Sequence, residues 1–196
     1  MIVIFHGVYF NSISQGFEKL PGRKTGVKFQ NKLIEDQHTN ILTYEYFYNG
    51  GGVAIGDINN DGLDDLFFTG NMTPNALYLN QGDFKFKNIG KASGVQGKNA
   101  WSTGATMVDI NGDGYLDIYV CYSGKGNEAS RKNELFINQQ DNTFIDEAEK
   151  YGLADPANSI QAAFFDFDLD GDLDMYLLNH NTQVINEIDF DAKRKD

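Results

Sequence analysis

The chain repeats one nine-residue pattern three times: Asp57-Ile-Asn-Asn-Asp-Gly-Leu-Asp-Asp65, Asp109-Ile-Asn-Gly-Asp-Gly-Tyr-Leu-Asp117 and Asp166-Phe-Asp-Leu-Asp-Gly-Asp-Leu-Asp174. Each copy has the form D-x-[DN]-x-D-G-x-x-D, so residues with side-chain oxygens alternate around a glycine. Apolar, β-rich sequence precedes and follows each copy. This arrangement is typical of a short loop that wraps a cation with a preference for oxygen ligands.

The pattern predicts Ca²⁺, which takes roughly six to eight oxygen ligands in a tolerant geometry. In each loop, the side chains at positions 1, 3, 5 and 9 and the backbone carbonyl at position 7 supply five or more oxygens. The glycine at position 6 allows the backbone to turn sharply. The predicted metal ligands are Asp57, Asn59, Asp61, Leu63, Asp65, Asp109, Asn111, Asp113, Tyr115, Asp117, Asp166, Asp168, Asp170, Asp172 and Asp174.

The distribution of charge supports three equivalent sites. The chain has 28 acidic and 16 basic residues and a net charge of -12. Twelve of the carboxylates lie inside the three loops, so the rest of the chain is electrically balanced. Carboxylates crowded into nine residues repel one another unless a cation neutralises them. The acidic balance also argues against a nucleic-acid partner.

Two alternatives to a calcium loop are weaker. Asp, Asn and Gly are common in ordinary turns, but three copies in one register are not expected of turns alone. An EF-hand loop begins in the same way and needs a bidentate Glu at position 12 between two helices. Position 12 is Phe68, Val120 or Leu177, each inside an apolar run.

The repeat extends beyond the loops and predicts an all-β fold. Short strands are expected on both sides of each loop, followed by two more, as in Ala76–Leu79 and Phe84–Lys87 of the first copy. Four short antiparallel strands per repeat of this size form one blade of a β-propeller. We therefore predict an N-terminal extension (1–45), a first blade (46–100), a second blade (101–158) and an incomplete third blade (159–196).

Residues 52–180 resemble the VCBS or FG-GAP repeats of β-propellers, which include the calcium-bearing blades of integrin α-chains. The resemblance lies in Gly52-Val-Ala-Ile-Gly-Asp-Ile-Asn-Asn-Asp-Gly-Leu63 and Asn111-Gly-Asp-Gly-Tyr-Leu-Asp-Ile-Tyr119. It implies that each metal loop joins the first two strands of a blade. Tyr46-Phe-Tyr-Asn-Gly-Gly-Gly52 is similar to the opening of bacterial cell-envelope proteins that carry an ASPIC/UnbV-type C-terminal domain.

The number of blades predicts a partial propeller. A ring of seven such blades needs on the order of 400 residues, whereas the chain has 196. We expect a fragment of a longer protein with an apolar blade face exposed at each end; a complete chain would be expected to self-associate. Tyr44, Tyr46, Phe47 and Tyr48 are expected to belong to a strand that packs on the first blade. The alternative is an exposed aromatic cluster that stacks on sugars or anchors a protein partner.

The leading functional hypothesis is a non-enzymatic, calcium-binding module of an exported or cell-surface protein, acting in adhesion, recognition or scaffolding with a protein or glycan partner. Met1–Phe5 is apolar but lacks the features of a secretory signal. The extracellular or cell-envelope location is therefore predicted from the loops, which we expect to bind calcium with the weak affinity of extracellular modules. No apolar run is long enough to span a membrane. The alternative is the propeller of a polysaccharide-active enzyme or of a glycan-binding protein, although no catalytic motif is present.

Overall fold

Ten β-strands form three antiparallel sheets in residues 18–98 and 100–181, the part of the chain that the computed structural model describes. The strands are β1 (Val53–Gly56), β2 (Asp65–Phe68), β3 (Ala76–Asn80), β4 (Phe86–Asn88), β5 (Trp101–Val108), β6 (Asp117–Ser123), β7 (Glu134–Asn138), β8 (Phe144–Asp146), β9 (Ser159–Phe165) and β10 (Asp174–Asn179). Predictions for residues 1–17 and 182–196, including the apolar start and the end of the third blade, lie outside the described residues.

Each of the first two sheets is a four-stranded meander. Strands β1 to β4 pair in chain order, as do β5 to β8, while β9 pairs with β10 alone. Three one-turn helices accompany them: α1 (Gly22–Thr25), α2 (Glu128–Arg131) and α3 (Ala148–Tyr151). The predicted all-β architecture of four-stranded antiparallel blades in a partial propeller is thus confirmed.

The strand register places the three acidic loops at equivalent corners. Gly56 pairs with Asp65 at the end of the first hairpin, and Val108 pairs with Asp117 at the end of the second. Phe165 pairs with Asp174 in the third sheet. The last residue of each nonapeptide is therefore also the first residue of a strand, which fixes its side chain relative to the sheet.

The apolar core consists of two layers, one on each side of the second sheet. Phe67 and Leu77 of the first sheet pack with Val120 and Phe136 of the second. The other face of the second sheet packs through Tyr119, Leu135 and Ile137 against Ala162 of the third. Because sheets cover both of its faces, β6 is buried at every residue. The single cysteine, Cys121, lies in this strand and is buried, and burial raises the pKa of its thiol.

Two glycines allow the first strands of neighbouring sheets to approach closely. A Cβ on Gly52 would lie 2.8 Å from the carbonyl oxygen of Thr103. A Cβ on Gly104 would lie 2.3 Å from the carbonyl oxygen of Ile160. The two positions are one repeat apart, so the same backbone contact joins the first sheet to the second and the second to the third.

The N-terminal segment covers part of the outer face of the first sheet. The ring of Phe29 stacks on Phe68 with centroids 5.2 Å apart, and the N–H of Lys28 donates to the Tyr78 hydroxyl at 3.1 Å. Val53 and Ile55 on the same sheet stay exposed. The free face of the third sheet exposes apolar side chains, among them those of Phe165, Tyr176 and Leu178.

Two local expectations are wrong. The fourth strand begins at Phe86 rather than Phe84, because Asp83 and Phe84 adopt positive φ angles of 49° and 55° and form the preceding turn. Residues 44–48 form turns rather than a strand. Tyr44 and Phe47 pack instead on Trp101 at the start of the second sheet, with ring centroids 5.3 and 5.4 Å away.

The contact between the first strands predicts the effect of Gly104→Ala. The added methyl group meets backbone, which has to shift, so we expect a loss of about 3 kcal/mol in the free energy of unfolding. Gly82→Ala is the control, because its Cβ meets open space and only its positive φ of 79° is strained; it should lose about 1 kcal/mol. Urea denaturation measures both. Equal losses would contradict the close approach.

Candidate metal centre

The first acidic loop is organised by hydrogen bonds from its own backbone to its carboxylates. Asp57 accepts from the N–H groups of Asp61 at 3.1 Å and Gly62 at 2.7 Å. Asp61 accepts from the N–H of Leu63 at 2.9 Å, and Asn59 accepts from that of Asp61 at 3.2 Å. The side chains at positions 1, 3 and 5 are therefore held by the turn that their own residues form.

The second loop repeats these bonds. Asp109 accepts from the N–H groups of Asp113 at 3.0 Å and Gly114 at 2.9 Å. Asp113 accepts from Tyr115 at 2.9 Å, and Asn111 accepts from Asp113 at 3.0 Å. The hydrogen bond from Tyr115 is the largest of the effects that lower the pKa of Asp113. The two loops thus have one geometry in spite of different residues at positions 4, 7 and 8.

The carboxylate at position 9 lies beneath each of these loops and is fully buried in both. Asp117 accepts from the N–H of Ile110 at 3.1 Å and from that of Asn138 at 2.8 Å. The pKa of Asp117 is raised to about 6, chiefly by burial and also by the charges of Asp113 and Asp109, and against the lowering effect of the two hydrogen bonds. A nearby cation would favour the ionised form of this carboxylate.

Asp65 has the equivalent place in the first loop. It accepts from Ile58 at 3.1 Å and from Asn80 at 2.8 Å, and burial is the main cause of its raised pKa. Asp65 and Asp117 therefore each join the start of their loop to the end of the third strand of the same sheet. A carboxylate has about four lone-pair sites, so these bonds leave room for a metal ligand.

Two asparagines at the ends of third strands tie the acidic loops to the sheets, and the ligand pattern missed both. The Asn138 amide donates to the carbonyl oxygens of Leu116 at 3.0 Å and of Ile58 at 2.8 Å, the latter in the first loop. The Asn80 amide donates to the carbonyl of Asp64 at 2.9 Å. The repeat of Leu-Tyr-Leu-Asn80 as Leu-Phe-Ile-Asn138 carries the signal for both. Asn138 thus connects the first two loops.

The third loop brings three carboxylates together. One oxygen from each of Asp166, Asp168 and Asp174 lies within 4.8 Å of the other two, and the described residues contain no other such group of acidic, histidine or cysteine side chains. The Oδ1 atom of Asp166 is buried and has no hydrogen-bond partner among the described residues. The equivalent oxygens of Asp57 and Asp109 each accept an N–H.

The remaining acidic side chains of the third loop contact each other. Asp170 accepts from the N–H of Asp172 at 3.2 Å, which lowers the pKa of Asp170. The side-chain hydrogen bond to Asp170 and its charge raise the pKa of Asp172. Asp174 accepts from the N–H of Phe167 at 2.8 Å, as its counterparts do from Ile58 and Ile110. Positions 1, 3 and 9 of this loop are thus together, and position 5 is paired with position 7.

The oxygen atoms of the three loops are suitable ligands for a hard cation. They consist of carboxylate and amide oxygens on alternate residues, and one of them is a buried carboxylate oxygen with no other partner among the described residues. An unpaired buried carboxylate oxygen is unfavourable, and a bound cation removes this cost. The complete ligand assignment, with its backbone carbonyls at position 7, stays a prediction.

Position 4 of each loop requires a left-handed backbone. Its φ angle is 58° at Asn60, 69° at Gly112 and 63° at Leu169. Gly and Asn adopt this conformation easily, whereas a leucine is strained there. Leu169 is 86% exposed, so its side chain contributes little packing in return.

Leu169→Asn should therefore stabilise the protein. Relief of the strained backbone predicts a gain of about 1 kcal/mol, measured as a rise in the melting temperature. Leu173→Asn is the matched control in the same loop, because Leu173 has no positive φ and is only partly exposed. A gain in the control, or a loss in Leu169→Asn, would contradict this assignment of strain.

Asp117→Asn should destabilise the second loop. An amide has one acceptor oxygen, so its NH₂ group would face one of the two N–H donors, from Ile110 or Asn138. The expected loss is about 2 kcal/mol for the unpaired buried donor, read from denaturation in the presence of chelator, where no metal contributes. Asp113→Asn, at an exposed position, should lose much less. Similar losses would show that burial of Asp117 is unimportant.

The part of the chain that carries the acidic loops is similar in sequence to known proteins. Residues 40–120 match the family described as FG-GAP-like repeat. Cartilage acidic protein 1 of Xenopus tropicalis is 34% identical over 137 residues, which are 67% of this chain and 20% of that protein. A T-cell immunomodulatory protein homolog of Plasmodium yoelii yoelii is 30% identical over 173 residues, 76% of this chain and 23% of the relative.

Cartilage acidic protein 1 of Mus musculus is 30% identical over 131 residues, which are 66% of this chain and 20% of that protein. The matched part of the chain thus spans about a fifth of the length of these relatives. The segment 40–120 includes the first sheet, the first two acidic loops, β5 and the first part of β6. These residues carry FG-GAP-like repeat sequence, folded as propeller-like blades.

Proposed function

We propose that the chain is a calcium-stabilised recognition module of an extracellular protein and that it is not itself an enzyme. The observation that carries this proposal is the third acidic loop, in which three carboxylates converge and a buried oxygen of Asp166 lacks a partner among the described residues. The first two loops support it, because they hold the same residue positions in a common hydrogen-bonded turn.

The chain's own residues prepare each loop for a cation. Backbone N–H groups orient the carboxylates at positions 1 and 5, and the buried carboxylate at position 9 fixes the loop to the sheet. A bound Ca²⁺ would supply the positive charge that offsets the repulsion among these side chains. The hairpin between the first two strands of each sheet would then be stable at its corner.

Several features support an extracellular location. Sites of this kind in extracellular modules bind calcium with dissociation constants of about 10⁻⁴ to 10⁻³ M, which suit the high calcium concentration outside cells. The relatives are described as a cartilage protein and an immunomodulatory protein homolog, names consistent with surface or secreted proteins. The VCBS-type assignment and the likeness of the N-terminal part to bacterial envelope proteins with an ASPIC/UnbV-type domain remain predictions.

None of the helices in residues 18–98 and 100–181 has the length and hydropathy needed to cross a bilayer.

A contact between a serine and a histidine bears on the non-enzymatic role. The Ser123 hydroxyl lies 2.6 Å from Nε2 of His180 and donates its one proton to Oδ1 of Asn158 at 3.0 Å. The N–H of Gly124 also donates to this oxygen at 3.1 Å, which fixes the orientation of the amide. Nδ1 of His180 lies 3.5 Å from the backbone carbonyl of Asn181, and none of the described carboxylates contacts the ring. The acid that orients the histidine of a Ser–His–Asp site is therefore missing from the described residues, which supports a structural role for this pair.

Calcium removal should lower the stability of the protein. A metal that binds only the folded form contributes about 2.7 kcal/mol per site at a hundredfold excess over its dissociation constant. We expect the melting temperature in millimolar calcium to exceed that in chelator, and the difference to shrink in Asp61→Ala, which removes a predicted ligand. Thermal unfolding followed by circular dichroism measures both.

The first loop offers a matched control for this experiment. Asp64 is an exposed carboxylate in the same nonapeptide but is not a predicted ligand. Asp64→Ala removes the same charge as Asp61→Ala and should keep nearly all of the calcium-dependent rise. Equal effects of the two variants would indicate a general response to charge, and a melting temperature that ignores chelator would overturn the role of calcium.

A further inference from the structure

A groove surrounds Tyr44 at the end of the sheets opposite the acidic loops. Three adjoining cavities, of about 310, 360 and 180 Å³, all have Tyr44 in their walls. The smallest lies at the start of the first strands, against Gly52 and Gly104, and the other two extend over Gly124 and Lys125 after β6. The function proposed above gives this groove no role.

The rings in the groove are held in place by their neighbours. The Tyr44 hydroxyl hydrogen-bonds to that of Ser123 at 2.8 Å, and the Tyr44 ring meets Trp101 edge to face with centroids 5.3 Å apart. The centroids of the Tyr46 and His180 rings are 4.0 Å apart. Because Ser123 is buried, Tyr44 is anchored to the sheet below it. The groove therefore has a preformed aromatic wall, although residues 44–48 form only turns.

The smallest cavity combines aromatic rings with polar side chains. Tyr44, Tyr46, Trp101 and His180 line it together with Gln161. The amide nitrogen of Gln161 donates to the Thr106 hydroxyl at 2.9 Å and to the carbonyl of Ala105 at 3.2 Å, so its side chain has a fixed position. This cavity of about 180 Å³ therefore offers aromatic rings and polar atoms at fixed positions.

The part of the groove beside Lys125 and Arg131 mixes donors and acceptors. Lys125 and Arg131 line one cavity together with Glu45 and Asn158. The Arg131 side chain donates to the carbonyls of Gly126 and Pro156, which keeps its guanidinium at the wall. The two basic side chains, the carboxylate and the amide give this lining both hydrogen-bond donors and acceptors. Hydroxyl groups both donate and accept, so they suit such a lining.

We propose that this groove binds an uncharged oligosaccharide, with one sugar ring against Tyr46 and Trp101 and its neighbours extending past Tyr44; the proposal rests on the recognition function inferred above. Sugar rings have apolar C–H faces that pack on aromatic rings and hydroxyls that bind polar side chains. A peptide is a poorer fit. Strand addition needs an exposed sheet edge, whereas the groove crosses the ends of strands.

The single tryptophan makes the test specific to the site. Trp101 is the only tryptophan of the chain and lines two of the three cavities. The full chain, in millimolar calcium, is titrated with linear oligosaccharides of glucose, xylose, mannose, N-acetylglucosamine and galacturonic acid while tryptophan emission is recorded. We expect a saturable change in emission with at least one of the four uncharged sugars.

Two variants and a control decide whether the groove is responsible. Tyr46→Ala and Gln161→Ala should each weaken binding at least tenfold. Tyr176→Ala is the matched control, since Tyr176 is 64% exposed on β10 and lines none of the three cavities; it should bind as the unaltered chain does. If Tyr46→Ala fails to fold, Gln161→Ala and the unaltered chain still give the answer.

The remaining outcomes overturn the proposal. These are no change in tryptophan emission with any uncharged sugar, a response to the galacturonic acid oligomer alone, equal binding by all variants, or saturable binding of members of a random peptide library in place of sugars. The result is independent of the calcium experiment. A chain that binds sugar through Tyr46 but melts identically in chelator would disprove the role of calcium and leave the groove intact.

Discussion

The crowding of carboxylates at three hairpin corners is the constraint on which the structure depends. Twelve acidic side chains lie in three nonapeptides, and they account for the whole net charge of the chain. The fold holds them close to one another because the same residues close the hairpins between the first two strands of each sheet. Like charges at this density are compatible with a stable corner only when donors or a cation offset their repulsion.

Backbone amides supply part of that compensation. In the first two loops the carboxylates at positions 1, 5 and 9 accept N–H groups, and the buried aspartate at position 9 also receives one from the end of the third strand. The third loop has fewer such bonds and one more carboxylate at position 3. Oδ1 of Asp166 has no partner among the described residues, so we expect this loop to depend most strongly on a cation.

The repeat made most of the fold predictable, because glycine, alternating apolar residues and the acidic pattern recur together. The features that the sequence did not predict depend on contacts between residues that are distant in the chain. Aromatic residues such as Tyr44 and Phe47 are common in strands, but here their rings pack on Trp101 and the backbone forms turns. Alternation at Phe84 suggested a strand, whereas the backbone turns there. The cross-link from Asn138 to Ile58 and the groove around Tyr44 depend on how sheets meet, which no local pattern contains.

Anomalous scattering from crystals shows whether each acidic corner holds one calcium ion. Crystals of the full chain grown in millimolar calcium would be measured at a wavelength where calcium scatters anomalously. The account predicts a peak among the carboxylates of each nonapeptide, strongest beside Asp166, Asp168 and Asp174. Corners without peaks at that calcium concentration would contradict it.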